Sequence, residues 1–170
     1  MTQHQLTWLS RWGKITAQTL LIATLGVAVF DIPAFADIPP EQIEQRMSQL
    51  KNSNQRWLEI NITTQRLIAW EGNNSVYAIV VATGKPATPT ETGMFTLENK
   101  QPLARLRGSS FDVPDVPYVL YYEGGGAIHG AYWLNRFGRP VSHGTTYLAV
   151  NHARWLYNWA TIGMPIIVRE

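Results

Sequence analysis

The middle of the chain alternates between apolar and polar positions with a period of two. Leu58, Ile60 and Ile62 are apolar, whereas Glu59 and Asn61 between them are polar. This alternation is typical of a β-strand with one buried face. Two turn-forming segments follow, and each leads into another apolar stretch. The pattern therefore predicts antiparallel hairpins built from strands at residues 58–62, 67–70 and 76–82.

The second half of the chain contains shorter strand-like segments separated by proline and glycine. Pro86 and Pro89 exclude regular structure up to residue 92, and we expect residues 100–116, with Pro102 and Pro114, to be irregular. Further strands are predicted at residues 94–97, 117–122, 127–129 and 164–168. Together with a single helix near the C-terminus, these strands predict a mostly β fold, either a sandwich or a barrel-like sheet.

Two segments have the spacing of amphipathic helices. Ile43, Met47 and Leu50 recur at i, i+4 and i+7 within residues 37–55, after two prolines that suit a helix start. This short helix either packs on the domain or acts as a spacer, and its apolar face favours packing. Residues 151–160 form the second predicted helix, which also has one apolar face.

The first 36 residues have the pattern of a secretory signal peptide. Two basic residues precede a mostly apolar stretch at 15–30, and Ala34-Phe35-Ala36 matches a small-x-small cleavage site. The apolar stretch is shorter than the ~20 residues that span a bilayer, and an uncleaved membrane anchor is the alternative. We predict a signal peptide at 1–36, a short helix or linker at 37–55 and one domain at 56–170. Such a protein is exported to the periplasm or cell envelope and contacts the membrane only if the signal stays uncleaved.

Composition narrows the classes of function. The 170 residues carry 14 Lys and Arg against 12 Asp and Glu. The resulting formal net charge of +2 is too small for the basic surface that nucleic-acid binding needs. Because the chain has no Cys, it has no disulfide, no thiolate metal ligand and no thiol nucleophile. We expect no metal site, since the histidines lack the spacing of metal ligands, and the oligomeric state is not predicted.

The candidate chemistry is concentrated between residues 129 and 147. His129 and His143 each precede a glycine, which allows a sharp backbone turn and the close approach of a ligand. Arg139 lies in the loop between them, and its guanidinium suits a peptide that carries a carboxylate. His, Gly and Arg in this combination favour a site over two structural histidines. Three aromatic residues either line a groove or belong to the core, namely Tyr132, Trp133 and Tyr147.

Several motifs, taken in their order along the chain, resemble the L,D-transpeptidase catalytic domain, a β-rich cysteine transpeptidase of bacterial cell walls. The resemblance extends from about residue 57 to residue 168. It rests on Ile60-Asn61-Ile62 with Gln65-Arg66-Leu67, on Thr83-Gly84 with Thr90-Glu91-Thr92-Gly93-Met94-Phe95, on Ile128-His129-Gly130, on Gly138-Arg139-Pro140-Val141-Ser142-His143-Gly144 and on Ala153-Arg154-Trp155-Leu156-Tyr157. The resemblance implies this family's fold, a protein that acts on peptidoglycan stem peptides, and no cofactor.

The chain departs from the family pattern at the position of the nucleophile. The family's catalytic cysteine directly follows Ser-His-Gly, and this chain has Thr145 there, followed by Thr146 where Val or Ile is usual. His152 stands where the following helix usually opens with Asp. The resemblance implies His129 as the base. It also implies His143 and Gly144 at the nucleophile turn. Around the substrate we expect Ser142, Tyr132, Trp133, Arg139 and Tyr147.

Two functions are compatible with a chain that resembles the family but has threonine at the position of the catalytic cysteine. A hydroxyl is far less ionised than a thiol near neutral pH. We therefore predict a family member that binds stem peptides while transpeptidation is lost or very slow. The alternative is an active peptidoglycan L,D-transpeptidase in which His129 deprotonates Thr145 for acyl transfer. A purely structural exported domain would explain the fold and leave the two histidines unexplained.

Overall fold

One eight-stranded β-sheet and two helices organise the part of the chain that the computed structural model describes, residues 38–108 and 111–170. The expected signal peptide lies outside these residues. Within them, no helix is long and apolar enough to cross a membrane. The elements in chain order are α1 (Pro40–Lys51), β1 (Arg56–Asn61), β2 (Arg66–Glu71), β3 (Asn74–Val80), β4 (Gly93–Gly108), β5 (Phe111–Tyr122), a 3₁₀ turn (Glu123–Gly125), β6 (Gly126–Gly130), β7 (Thr146–Leu148), α2 (Val150–Trp159) and β8 (Pro165–Arg169).

The strands follow the order β3-β2-β1-β8-β4-β5-β6-β7 across the sheet. The first three strands form the predicted antiparallel hairpins, whereas β1 pairs with β8, and β6 with β7, in parallel. The two edges of the sheet meet just after β3, where Ala82 and Tyr147 exchange backbone hydrogen bonds of 3.0 and 2.9 Å. The sheet thus curls towards closure, and the prediction of a mostly β, barrel-like fold is confirmed.

The central strands β1 and β8 are buried on both faces, because a helix covers each side of the sheet. Leu58 and Ile166 face the main core, to which α2 contributes its apolar residues. Trp57 and Ile167 face the opposite way and pack against α1. The residues of α1 that cover them are the three predicted to form its apolar face, Ile43, Met47 and Leu50. The N-terminal helix therefore packs on the domain.

The expectation that residues 100–116 are irregular is wrong. β4 and β5 remain paired as a long two-stranded ribbon as far as Gly108 and Phe111. Their register shifts at a bulge between Ala104 and Leu106, where two residues of β5, Pro114 and Asp115, lie opposite one residue of β4. Proline is tolerated at a bulge because no ladder hydrogen bond is needed from it there. The ribbon brings Phe111 to the loop that carries His143.

Candidate active site

A tight turn at residues 142–145 presents Thr145. Ser142 is fully buried, and its hydroxyl donates to the carbonyl oxygen of Thr145 at 2.5 Å. The same hydroxyl accepts the backbone N–H of Gly144 at 3.2 Å. Gly144 has a φ of 106°, which glycine adopts at little cost. Ser142 thus fixes the turn from inside, and Thr145, directly before β7, remains half-buried at the surface.

A second loop, residues 83–92, holds this turn in place through backbone hydrogen bonds. The carbonyl oxygen of Thr83 accepts the N–H groups of Val141 and Ser142 at 2.9 and 3.0 Å. Thr83 is in turn fixed by Gln65, whose side-chain oxygen accepts its N–H at 2.9 Å and whose amide nitrogen donates to its hydroxyl. The turn before Thr145 is therefore tied to the first hairpin of the sheet.

His129 faces the Thr145 hydroxyl. The two strands that carry the site pair in parallel, with His129 opposite Tyr147. Nε2 of His129 lies 3.2 Å from Oγ1 of Thr145, and Nδ1 lies 3.0 Å from the carbonyl oxygen of Gly130. Because a carbonyl oxygen can only accept, Nδ1 carries the proton. The Thr145 hydroxyl then donates to the lone pair on Nε2, which is the arrangement of a hydroxyl with its general base.

Burial makes His129 a weak base. The side chain is only 1% exposed, and desolvation lowers its pKa to about 4, although the hydrogen bond to the Gly130 carbonyl opposes the shift. The imidazole is therefore neutral at physiological pH. Its lone pair is free to accept a proton, but its affinity for that proton is well below that of an ordinary histidine.

Aromatic side chains form one wall of the site. The ring of Tyr147 lies 4.8 Å from that of His129 and 5.6 Å from that of Trp133. Burial raises the pKa of the Tyr147 phenol, and contacts with the Thr145 side chain and the His143 backbone oppose this shift. Tyr132 is 53% exposed and Trp133 is 38% exposed. The structure thus places Trp133 beside the histidine, with the two rings 5.9 Å apart, and Tyr132 against Trp133 at 4.8 Å.

His143 lies at the exposed side of the turn, where two residues that the sequence did not single out contact it. Nζ of Lys85 lies 3.2 Å from Nε2 of His143. The ring of Phe111, at the end of the β4–β5 ribbon, lies 5.5 Å from the imidazole. Lys85 directly follows the Thr83-Gly84 motif, which was a usable signal. Phe111 carried no such signal, because its segment was expected to be irregular.

Two clefts meet at Thr145 and His143. The first has a volume of about 230 Å³ and is lined by glycine backbone at 124–126 and by the carboxylates Glu91 and Glu123. The second, of about 140 Å³, lies under the β4–β5 ribbon, and its other lining residues are Leu106, Phe111, Val113, His129, Trp133 and Tyr147. The Thr145 hydroxyl therefore lies between a polar, acidic cleft and a mainly apolar one.

Three of the sequence-predicted site residues line neither cleft, namely Ser142, Tyr132 and Arg139. Ser142 is buried beneath the turn, and Tyr132 is exposed, with its hydroxyl donating to the carbonyl oxygen of Pro114 at 3.0 Å. Arg139 is exposed on the loop between β6 and β7. Hydrogen bonds on both sides of Arg139 tie this loop to the segment after β3, since the N–H groups of Gly138 and Val141 donate to the carbonyl oxygens of Val81 and Thr83.

Within residues 38–108 and 111–170, no group of three or more His, Asp or Glu is arranged to hold a metal ion.

The fold and the site define a β-rich domain in which a hydroxyl and a buried histidine lie within hydrogen-bond distance at the edge of two clefts. The family model described as YkuD, L,D-transpeptidase catalytic domain, matches residues 55–168. The match covers more than half of the chain, which therefore belongs to the L,D-transpeptidase catalytic-domain family. The family assignment made from the sequence motifs is confirmed.

Individual relatives agree with this assignment. The chain is 33% identical over 99 residues to "Probable L,D-transpeptidase 3" of Mycobacterium tuberculosis, an alignment that covers 51% of this chain and 36% of the relative. An L,D-transpeptidase from Mycobacterium smegmatis has a TM-score of 0.64 at 24% identity, over 68% of this chain and 59% of that one. The catalytic domain of the Enterococcus faecium L,D-transpeptidase has a TM-score of 0.62 at 24% identity, over 68% and 98%. The chain thus spans about a third of the curated relative, and the two structures show the fold.

Proposed function

We propose that this protein is exported to the periplasm or cell envelope, where it binds peptidoglycan stem peptides at the Thr145 clefts. We further propose that transpeptidation is lost or very slow. The observation that carries the proposal is the oxygen of Thr145 at the nucleophile position, 3.2 Å from the histidine that would act as its base. Membership of the family supports the substrate class, and the names of the relatives refer to L,D-transpeptidases.

The chemistry of proton transfer supports slow turnover. A cysteine has a pKa near ~8.5 and is a few per cent thiolate at neutral pH. A hydroxyl ionises only at a far higher pH than a thiol, and it must lose its proton to a base during attack. The base here is His129, whose pKa of about 4 is well below the ordinary value. That difference adds roughly 3 kcal/mol to the unfavourable proton transfer.

The backbone of the turn supports the same conclusion. Oxyanion stabilisation needs N–H groups that are aimed at the developing charge. The N–H of Gly144 already donates to the buried hydroxyl of Ser142 at 3.2 Å. A contact from this group to an oxyanion would have to share or break that bond. Acyl transfer at this turn would therefore have to weaken a hydrogen bond that fixes its shape.

The second candidate function is acyl transfer by Thr145, and the 3.2 Å contact with His129 favours it. In this reaction Oγ1 of Thr145 attacks the carbonyl carbon of the scissile amide, and its proton passes to Nε2 of His129. The proton then goes to the leaving amine as the C–N bond breaks, which leaves an oxygen ester on Thr145. An acceptor amine attacks this ester, forms the new amide and returns the hydroxyl to Thr145.

A direct experiment separates the two functions. The purified protein is incubated with a stem tetrapeptide or a carbapenem and examined by intact mass spectrometry, while peptide binding is measured by NMR titration. We expect measurable binding and no adduct. An acyl adduct on Thr145 that disappears in Thr145→Ala would establish acyl transfer instead, and the absence of any binding would contradict the proposed function.

Replacing the oxygen by sulfur tests the cause of the slow reaction. Thr145→Cys should form an acyl adduct, because a thiol ionises far more readily and the chain has no other Cys to react. Thr145→Ser is the matched control, since it removes the methyl group and keeps the oxygen. We expect it to stay inert. Equal reactivity of the Ser and Cys variants would show that the methyl group, rather than ionisation, limits the site.

A further inference from the structure

A third cleft, larger than either cleft at Thr145, lies beside the N-terminal helix. Its volume is about 530 Å³, within the ~300–1,000 Å³ that is usual for small-molecule sites. Its walls come from α1, the start of β4 and the segment between α2 and β8, and neither His143 nor Thr145 lines it. We call it the α1 cleft, and its lining includes Arg46, Arg56, Met94, Thr96, Ile162 and Ile167.

Two arginine side chains line the α1 cleft, and they are held differently. Nε of Arg56 donates to Glu71 at 2.9 Å, and Nη1 donates to the carbonyl oxygen of Trp159 at 3.2 Å. Glu71 thus fixes this guanidinium and offsets its charge, while Nη2 makes no hydrogen bond within the described part of the chain. Arg46 donates to Gln49 of the same helix at 3.3 Å and forms no ion pair within residues 38–108 and 111–170. Arg46 therefore gives the cleft a net positive charge, since no described Asp or Glu lines it.

The remaining surface of the α1 cleft is largely apolar. Met94 and Ile167 belong to the cluster that packs against α1. Ile162 is 65% exposed, the highest value among the exposed large apolar side chains of the described residues. A ligand that has both an anionic group and an apolar part therefore contacts more of this surface than a bare anion would.

Neither the family assignment nor the site at Thr145 accounts for the α1 cleft. The family model matches residues 55–168, whereas Arg46 lies on α1, before the matched segment. Charge also separates the sites, because Glu91 and Glu123 line the first cleft at Thr145 and would repel an anion there. An anionic ligand is thus favoured at α1 over that cleft.

We propose that the α1 cleft binds an amphiphilic anion, a carboxylate or phosphate group joined to an apolar chain. Arg46 and Nη2 of Arg56 hold the anionic group, because guanidinium N–H groups match the oxygens of both anions. The apolar chain lies on Met94 and against Ile162. A membrane lipid and a free amphiphile present this same chemistry. The inference does not depend on the proposed function, since it concerns another site.

NMR titration of the processed protein that begins at Asp37 tests the site with three probes. Octanoate carries both the charge and the chain, acetate only the charge, and octyl glucoside the chain without the charge. We expect octanoate to bind at least about tenfold more tightly than either of the others, because burial of two methylene groups suffices for that difference. It should shift the backbone N–H signals of Thr96, Ile162 and Gly163 and leave those of His143 and Gly144 in place.

Two variants separate the contributions of charge and chain. Arg46→Gln should weaken octanoate binding about fivefold, the upper end of the range for a solvent-accessible ion pair. Ile162→Asn should also weaken octanoate binding about fivefold and leave acetate binding unchanged. The exposed Arg154→Gln, on α2, is the matched control for loss of a positive charge and should bind octanoate as the natural chain does.

Vesicles of phosphatidylglycerol and of phosphatidylcholine distinguish the two sources of the ligand. Binding to the anionic vesicles that falls in both Arg46→Gln and Ile162→Asn would support the inference with a membrane lipid as ligand. Octanoate binding without vesicle binding would support it with a free amphiphile.

Four results would overturn the inference: no binding of octanoate or anionic vesicles, equal affinity for acetate and octanoate, an unchanged affinity in Arg46→Gln, or shifts at His143 and Gly144 in place of the α1 cleft. None of them bears on stem-peptide binding at Thr145, so the proposed function stands or falls separately.

Discussion

Thr146, next to the nucleophile position, carries a hydroxyl that the fold leaves without a partner. The residue is fully buried on β7, which pairs it with Ile128 of β6. Within residues 38–108 and 111–170, its Oγ1 is the buried side-chain oxygen or nitrogen that makes no hydrogen bond. Replacing Thr146 by valine removes this oxygen and keeps the β-branched shape. The change should therefore stabilise the protein.

The expected magnitude follows from the burial. A buried hydroxyl without a hydrogen bond costs about 1–3 kcal/mol. The added methyl group contributes up to about 0.8 kcal/mol of apolar burial, but it is larger than the hydroxyl, and overpacking offsets part of the gain. We expect a net increase in the free energy of unfolding of about 1–2 kcal/mol. For a domain of this size, such an increase raises Tm by roughly 4–8 °C.

Thr83→Val is the matched control, because Thr83 is also buried but its hydroxyl has a partner. The Gln65 amide donates to it at 2.5 Å. In urea unfolding followed by tryptophan fluorescence, the free energy of unfolding should be higher for Thr146→Val than for the natural chain. For Thr83→Val it should be about 1–2 kcal/mol lower. If Thr146→Val were neutral or destabilising while Thr83→Val lost stability as expected, the Thr146 hydroxyl would have a hydrogen-bond partner in solution and the account would be refuted.

Two further predictions concern stability. Because burial holds the pKa of His129 near 4, the unfolded chain takes up a proton that the folded chain does not, and the free energy of unfolding should fall by up to roughly 3 kcal/mol as pH drops from about 6.5 to about 4. Urea unfolding across this window checks the slope, which His129→Asn should flatten. Lys100 donates to the Ala160 carbonyl at the end of α2 at 2.6 Å and lies 4.6 Å from the ring of Tyr157. Lys100→Met should therefore cost about 1–2 kcal/mol in thermal unfolding, against less than ~0.5 for the exposed Arg154→Met, and equal effects would contradict this account.

The elements that the sequence predicted are those whose signal is local. The alternation around Leu58 and Ile60 follows from one strand lying on the core, and the spacing of Ile43 and Met47 from one helix face. The β4–β5 ribbon was missed because it is stabilised by pairing between the two strands and not by a pattern within either strand. Pro102 and Pro114 argued against strands here, but one lies where β4 is an edge strand and the other lies at a bulge. The three-residue strand β7 is too short to carry a period of its own.

The sequence predicted several of the residues that the fold brings together around Thr145, but it did not predict their geometry. His129 and Thr145 are 16 residues apart and meet because β6 and β7 pair in parallel in one particular register. The tautomer of His129 depends on the carbonyl of Gly130, and its low pKa depends on burial, and neither can be read from composition. Lys85 became a candidate only when the fold placed it against His143.

The hydrogen bond between Thr145 and His129 also has a structural consequence that does not depend on catalysis. His129 is almost fully buried, so Nε2 would be an unpaired acceptor if residue 145 offered no donor. A buried acceptor without a hydrogen bond costs about 1–3 kcal/mol. The threonine hydroxyl removes this cost by donating to Nε2, whereas a thiol is a weak donor and would remove little of it. The well-formed pair is therefore expected whether or not the protein turns over a substrate. For this reason the ease with which the atom at position 145 loses its proton, rather than the distance to His129, decides between binding and catalysis.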